Sequence, residues 1–430
     1  MDVVIVHYHL HPGGVTKIIE SQVAGMIITP GIDKITVIAG VSGQLMDTPG
    51  AGFYIVPSIG YLPTTLSHST YREMAINILT RLKEFAAENT VMHFHNPNLG
   101  KNPSLTLAIY ELARAGNAMV IHFHDFAEDR PDNIRFLKNV IPSITGTELQ
   151  KVLYPLTTGC HFIVLNKNDH KRLVDYGIPV DRIHLLHNPV LIRNAGNTKD
   201  FSGKQRINRM LGFDSSKRIC IYPVRAIKRK NIGEFILIAA LYNETMNFAI
   251  TQPPKNPDET NEYERWKDFC VRANIPVKFE AGNVVDYEEL MNISDFCITT
   301  SKMEGFGMVF LEPWAAGVPV TGRDLPYITK ELMEYGLEFP CLYNAIWVYS
   351  GNRKIDFKDL SHAKKEQAIL GVLKNEPQRL RLLEDNPFLT RLFDDLPEIV
   401  IHNNQNIIKK RFSVEEYGKR LLEIYRAVSQ

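Results

Sequence analysis

Ser301-Lys-Met-Glu-Gly-Phe-Gly-Met-Val-Phe-Leu-Glu-Pro-Trp-Ala-Ala-Gly-Val-Pro-Val320 is the stretch on which the reading of this chain turns. Ahead of it, Asp295-Phe-Cys-Ile-Thr299 is a short apolar run followed by small polar residues, and it predicts a buried strand. Behind the turn, Phe306 to Ala316 carries apolar residues at helical spacing, with Gly317 as the stop. A strand, a tight turn and a helix start in succession leave the backbone N–H groups of Gly305, Phe306 and Gly307 available, which makes an anion site. Glu304 and Glu312 bracket that turn. Carboxylates beside a phosphate site do not hold the phosphate, but they accept hydrogen bonds from sugar hydroxyls. Phosphate and sugar together point to a nucleotide sugar. Taken alone, an ordinary glycine turn with one solvated acid and one helix acid is the stronger reading.

Glu304 to Glu312 resembles the E-x7-E signature of retaining glycosyltransferases with the GT-B fold, family 4 type, and the flanking Gly-Phe-Gly and Pro-Trp-Ala-Ala-Gly-Val-Pro-Val resemble that family too. The resemblance implies an α/β chain of two Rossmann-like domains facing a central cleft, with a C-terminal helix returning to the first domain. It also implies that Glu304 touches the donor sugar and Glu312 the ribose hydroxyls. The amides of Gly305, Phe306 and Gly307 would then meet the sugar and phosphate.

At 430 residues the chain exceeds a comfortable single core, so two domains are expected. A formal net charge of +1 gives no field that draws the chain to nucleic acid or an anionic membrane. The five cysteines are scattered without a C-x-x-C pair, which predicts reduced buried thiols and a cytoplasmic setting. The chain opens on the strand Val3-Val-Ile-Val6, too short for a signal peptide, and no apolar run approaches about 20 residues, so no transmembrane segment is expected. Composition turns polar from Arg193 to Gln205, which places the boundary there. The resemblance implies that residues 1–192 form an acceptor-side domain, with the helix 412–430 packing back on it, and 204–408 a nucleotide-sugar-binding domain.

Short apolar runs alternate with helical patterns, which argues for parallel sheets. Gly13 and Gly14 sit between the first strand and an amphipathic helix over Val15 to Met26, where backbone can approach a phosphate or sugar; the position resembles the family's opening glycine loop. Three candidate strands end in histidine: His7/His9/His11, His93/His95 and His122/His124. Ligands bind outside the carboxyl ends of strands in open α/β sheets, so each cluster should send a histidine to one crevice. Zinc ligation is disfavoured, since no H-E-x-x-H or Cys/His set accompanies them, and metal is expected to play no part. About half should be buried imidazoles bonded to carbonyls. His124 resembles the family's histidine facing the reacting sugar, and His9 and His95 are lesser candidates for the acceptor. Lys101, beside an Asn102 cap and Pro103, and Arg130, in the polar loop Asp125 to Asn133, are further acceptor candidates.

The second domain opens on the strand Arg218 to Val224, and four cations follow within six residues: Arg225, Lys228, Arg229 and Lys230. A solvated loop is the usual fate of such a run. Beside an anion-binding turn it reads as a diphosphate clamp, and Arg225 with Lys230 resembles the family's phosphate-binding pair. The region Gly282 to Val285 resembles the stretch that lies along the nucleobase, which makes Val284 a donor contact. Resemblance weakens from Leu325 onward. Ser413 with Glu416 forms a capping box for a final helix over Val414 to Val428.

The function this implies is transfer of a hexosyl group, with retained configuration, from a nucleotide-diphosphate sugar to a hydroxyl of a soluble acceptor. His124, Arg225, Lys230 and Glu304 would act on the reacting atoms. No D-x-D occurs, so no cofactor is expected beyond the sugar nucleotide as co-substrate. A sugar phosphorylase using inorganic phosphate and a non-catalytic sugar-nucleotide binder stay open, as does a homodimer.

Overall fold

The computed structural model describes residues 1–43, 48–191 and 201–429. The chain divides into two compact units, Met1–Leu191 with Lys410–Gln430, and Ile192–Lys409. The expected linker from Arg193 to Gln205 falls mostly outside the described residues. Its last part belongs instead to a helix, Phe201–Leu211, whose Ile207 and Leu211 are buried against Ile219 and Ile221. Two apolar residues one turn apart were enough to recruit a segment whose composition is otherwise polar.

The first unit is a parallel sheet of seven strands: β1 (Asp2–His7), β2 (Lys34–Ala39), β3 (Gly52–Ile55), β4 (Thr90–His95), β5 (Met119–His122), β6 (Cys160–Val164) and β7 (Ile183–Leu185). Their order is β3-β2-β1-β4-β5-β6-β7. Both faces are covered, so all of β4 and all of β1 beyond Asp2 are buried. On one face Val4, Val6, Met92, Phe94 and Ile121 pack against Leu105, Ile109 and Leu112 of the helix Pro103–Arg114. On the other, Val3, Ile5, Val91 and Val120 meet Ile19 and Val23 of the helix Gly14–Ile27, and Leu421 and Tyr425 of the C-terminal helix Val414–Val428. The C-terminal helix thus returns to the first sheet. Its start is capped as expected, Ser413 Oγ accepting the Glu416 N–H at 3.2 Å. It crosses the first helix where both lack side chains: a Cβ on Gly25 would lie 2.6 Å from the Val414 carbonyl, and one on Gly418 would lie 2.5 Å from that of Gly25.

The second unit repeats the plan with six parallel strands: β8 (Arg218–Arg225), β9 (Met246–Gln252), β10 (Val277–Lys278), β11 (Phe296–Thr299), β12 (Val320–Arg323) and β13 (Cys341–Tyr343), in the order β10-β9-β8-β11-β12-β13. The helix Ile232–Tyr242 is buried nearly all round, in keeping with its unbroken apolar sequence. The two doubly wound α/β sheets, with the returning helix, give the GT-B fold. In each sheet the winding reverses once, between β1 and β4 and between β8 and β11. Loops leaving the carboxyl ends of two such neighbours open a crevice, the usual ligand position in open α/β sheets.

The expected helix from Phe306 to Ala316 is two pieces, a 3-10 turn Met308–Phe310 and a short helix Glu312–Ala315. Pro313 is the reason. It has no N–H to give the carbonyl four residues back, so the turn before it does not run on and the helix restarts with proline in its first turn.

Arg323, two residues before the point where sequence resemblance fades, joins a cluster of deeply buried charges in this unit. Arg323 is 1% exposed and lies between two carboxylates. Its Nε and Nη2 donate to Glu234 at 2.9 and 2.6 Å, and its Nη1 and Nη2 to Asp356 at 2.8 and 2.7 Å. Glu234 also accepts from Asn231 Nδ2 at 2.9 Å and from the Tyr343 hydroxyl at 2.8 Å. The bridge therefore pins the turn after β8 to the end of β12. Replacing Arg323 by methionine leaves two buried carboxylates without their cation, and unfolding in urea should show a loss of about 3–5 kcal/mol. A loss below about 1 kcal/mol, the range of exposed pairs, would mean that those acids are solvated.

Candidate functional site

The β8/β11 switch point brings the cation run and the glycine turn together. After β8 the chain makes a 3-10 turn, Lys228–Lys230, and Asn231 takes a left-handed conformation (φ 51°) before the helix Ile232–Tyr242. After β11, Thr300 and Ser301 dock on that turn. Thr300 Oγ1 donates to the Lys230 carbonyl at 3.0 Å, the Lys302 N–H to the Arg229 carbonyl at 2.8 Å, and the Tyr222 hydroxyl to the Lys230 carbonyl at 2.8 Å.

Glu304 sits at the meeting point with its side chain 8% exposed. One carboxylate oxygen takes the Lys230 ammonium and the Ser301 hydroxyl, the latter at 2.5 Å; the other takes Arg229 Nη1 at 2.7 Å. Burial alone would push this carboxyl up, but Lys230 and Arg229 more than reverse that and hold it below the usual carboxylate range. Lys230 is drawn below the usual lysine value by burial, which the pull of Glu304 does not fully offset. Two cations on one carboxylate leave the cluster with an excess positive charge. Tyr327 fixes the backbone of the turn, its hydroxyl accepting the Glu304 N–H at 2.7 Å and donating to the Glu304 carbonyl at 2.9 Å.

Arg225, at the end of β8, is half-buried, and its Nε is a buried donor for which no partner occurs among the described residues. Gly305 is exposed, while Phe306 and Gly307 are buried. Gly307 holds φ 86°, and a Cβ there would lie 3.0 Å from both Ile328 and Phe310. Glu312 accepts the Tyr287 hydroxyl at 2.9 Å. Val284 is 40% exposed at the end of the 3-10 turn Ala281–Asn283. The sequence reading missed Arg229 as a partner of Glu304, although it stands in the same charge run. Tyr222, Tyr287 and Tyr327 were missed too, and they carried no local signal because their partners lie far along the chain.

In the first unit, Gly13 caps the helix Gly14–Ile27 in extended backbone, and a Cβ on Gly14 would meet nothing within 4 Å. Internal packing therefore does not require that glycine. The histidines form one stacked block. His93 and His95 stack at 4.5 Å between ring centres, His122 and His124 at 4.3 Å, and His95 and His124 at 5.1 Å. His124 is partly exposed, just beyond the end of β5 at His122, and its N–H donates to Asn96 Oδ1 at 2.6 Å. His95, expected at the acceptor, is 1% exposed with both ring nitrogens bonded, to Gln22 and to His124, so its reach to any ligand runs through His124. His9 is partly exposed, 3.3 Å from the Tyr61 hydroxyl. Burial pushes His93 and His124 down to about 3 and His7 to about 4, so this block is neutral at physiological pH. Nitrogens of His93, His95 and His122 lie within 4.8 Å of one another, close enough to hold a metal ion, though only if they give up their present hydrogen bonds. Lys101 lies 5.9 Å from the centre of the Tyr61 ring, and Arg130 pairs at the surface with Asp125 at 3.0 Å.

Residues 203–352 match the family described as glycosyl transferases group 1. That match lies within the second unit. The chain is 30% identical over 327 residues to a mannosylglucosyl-3-phosphoglycerate synthase of Petrotoga mobilis, a match covering 72% of this chain and 62% of that relative. The chain thus spans under two thirds of that relative's length. A mannosylglucosylglycerate synthase of the same organism is 22% identical over 316 residues, 63% of this chain and 67% of the relative. Among solved structures, HepE of Anabaena in complex with UDP-glucose aligns over 99% of this chain and 100% of its own, with a TM-score of 0.64 and 16% identity. A sucrose-phosphate synthase of Thermosynechococcus elongatus aligns over 99% and 98%, with a TM-score of 0.58 and 14% identity. These likenesses agree with the GT-B architecture of the two sheets.

The two glycine positions should respond differently to one added methyl group. Gly307→Ala, strained by its φ and its close neighbours, should lose about 1–3 kcal/mol of stability. Gly14→Ala should stay within about 0.5 kcal/mol of wild type. Equal losses in thermal unfolding would contradict the open space described around Gly14.

Proposed function

We propose that this chain is a retaining glycosyltransferase that moves a hexosyl group from a nucleotide-diphosphate sugar to a hydroxyl of a soluble, anionic acceptor. The observation that carries this reading is the charge arrangement at the β8/β11 switch point. There Lys230 and Arg229 share one buried carboxylate, and the same strand end supplies Arg225 with a buried, unpartnered Nε. A diphosphate arriving there supplies new anionic partners for those cations. Glu304, which occupies them in the free protein, is then released to accept a sugar hydroxyl. Glu312, steadied by Tyr287, is positioned for the ribose hydroxyls, the amides of Gly305 to Gly307 for the sugar and phosphate, and Val284 for the base.

The bond that breaks joins the anomeric carbon to a diphosphate oxygen. Negative charge grows on that oxygen, and Arg225 and Lys230 are already charged and in place to meet it, the condition under which such groups lower a barrier most. They do the work that a divalent cation does in other transferases. The acceptor oxygen bonds to the anomeric carbon on the face the diphosphate leaves, and its proton passes to the departing phosphate oxygen, which retains configuration. Gly13, Gly14 and His124 belong to this reading as contacts of the first unit, with His9, Lys101 and Arg130 toward the acceptor. Support for an anionic acceptor comes from the relative whose product contains a phosphoglycerate. Lys101 also has no ion-pair partner among the described residues.

Thermal unfolding in the presence of UDP-, GDP- and ADP-sugars should single out one donor by a raised Tm, and product should form from it with a phosphorylated sugar-acid acceptor. Arg225→Ala and Lys230→Ala should each lower kcat about 100-fold or more. Ordinary turnover in both variants would remove the clamp from the mechanism. Protection by inorganic phosphate alone would replace transfer by phosphorolysis, and tight nucleotide binding without product would leave only a binding protein.

A further inference from the structure

The block of imidazoles in the first unit is joined through one side chain. Gln22, on the helix Gly14–Ile27, is fully buried and lies between His93 and His95. Its amide nitrogen, which can only donate, is 3.1 Å from His93 Nδ1 and 2.8 Å from the Tyr425 hydroxyl. The Tyr425 hydroxyl, which can donate or accept, is 2.7 Å from the same nitrogen, and the donor-only Gln22 amide makes His93 Nδ1 an acceptor. A neutral imidazole with an accepting Nδ1 carries its proton on Nε2, and His93 Nε2 lies 3.1 Å from His122 Nδ1. His122 therefore accepts at Nδ1 and also carries its proton on Nε2. On the other side, the Gln22 amide oxygen can only accept and is 2.7 Å from His95 Nε2, which must carry a proton. His95 Nδ1 then accepts from His124 Nε2 at 2.8 Å. His124 is left with a lone pair on Nδ1, for which no partner occurs among the described residues.

Turning the Gln22 amide over would reverse each of these steps. The four rings thus share one tautomer, and the amide selects it. We propose that Gln22 is a positioning residue: it holds His93, His95, His122 and His124 in the Nε2–H form and so presents His124 Nδ1 as the acceptor for a substrate hydroxyl. The contact between His124 and substrate rests on the transferase reading; the shared tautomer does not. The arrangement leaves His122 Nε2 buried with no partner among the described residues. Buried polar atoms are rarely left so, and a face built only for packing would carry apolar side chains here, as it does one step earlier at Val91 and Val120. Nitrogens of His93, His95 and His122 lie within 4.8 Å of one another, but apart from His122 Nε2 and His124 Nδ1 the nitrogens of the four rings are engaged with Gln22, Tyr425 or one another. That engagement favours a directed hydrogen-bond chain over an ion site.

The protein, with histidine labelled in both ring nitrogens, tests this by long-range proton–nitrogen NMR, each ring being assigned by its loss in the matching His→Asn variant. All four rings should give the Nε2–H pattern without any substrate. Gln22→Met should abolish that uniformity and lower kcat about tenfold or more at unchanged donor KM, because the substrate hydroxyl loses a fixed acceptor at His124. An Nδ1–H pattern at any of the four rings in the wild type would overturn the proposal. So would Gln22→Met with unaltered tautomers, or with altered tautomers and unaltered kcat. Stoichiometric zinc shifting all four rings together would replace it with a metal site. Absence of transferase activity would remove only the role of His124, since the NMR pattern is read without turnover.

Discussion

Glu304 between Lys230 and Arg229 is the contact on which the second unit's chemistry depends. A carboxylate with a side chain only 8% exposed is tolerable because two cations and a serine hydroxyl meet it. The same cations would be costly to hold half-buried without it. Each charge is thus the condition for the other, and the cluster stays assembled in the free protein. Because the positive charges outnumber the negative one, the assembly keeps an attraction for anions that a matched pair would lack.

That cluster is held by packing deeper in the unit. Asn231, in a left-handed conformation, ends the turn carrying Lys230, and its side chain donates to Glu234. Glu234 is gripped by Arg323, which also binds Asp356. Lys365 adds its ammonium to Asn231 Oδ1 at 2.9 Å, and burial pushes that lysine down to about 8. A chain of buried polar contacts thus runs from the turn after β8 to the end of β12 and beyond. Each link is expensive to leave unpaired, so the turn has few alternative positions.

The first unit solves a different problem. The face of its sheet that meets the helices Gly14–Ile27 and Val414–Val428 is aliphatic in its first half, at Val3, Val91 and Val120. Toward the carboxyl ends of the strands the same face becomes imidazole, at His7, His93, His95 and His122. Strand alternation produces this directly, since residues two apart share a face. Burial keeps the rings neutral, and Gln22 and Tyr425, one from each covering helix, join them by hydrogen bonds. The C-terminal helix therefore does more than cover the sheet: it takes part in the hydrogen bonding of the histidine block.

The sequence by itself determined the repeating strand–helix pattern, and with it two parallel sheets, because apolar runs and turn residues are local signals. It also marked the glycine turn at Gly305 to Gly307 and the cation run at Arg225 to Lys230 as places where chemistry could gather. The capped final helix was legible for the same reason: Ser413 and Glu416 stand three residues apart. Tertiary structure alone decided which charges meet. Nothing near Arg229 in the chain names Glu304 as its partner, and nothing near Gln22 names His93, His95 and Tyr425. It also decided that Arg323 is a buried anchor, and that Pro313 splits the expected helix. Periodicity and caps depend on neighbours a few residues apart, whereas ion pairs and hydrogen-bond chains depend on strand order, which brings β8 beside β11 and β1 beside β4.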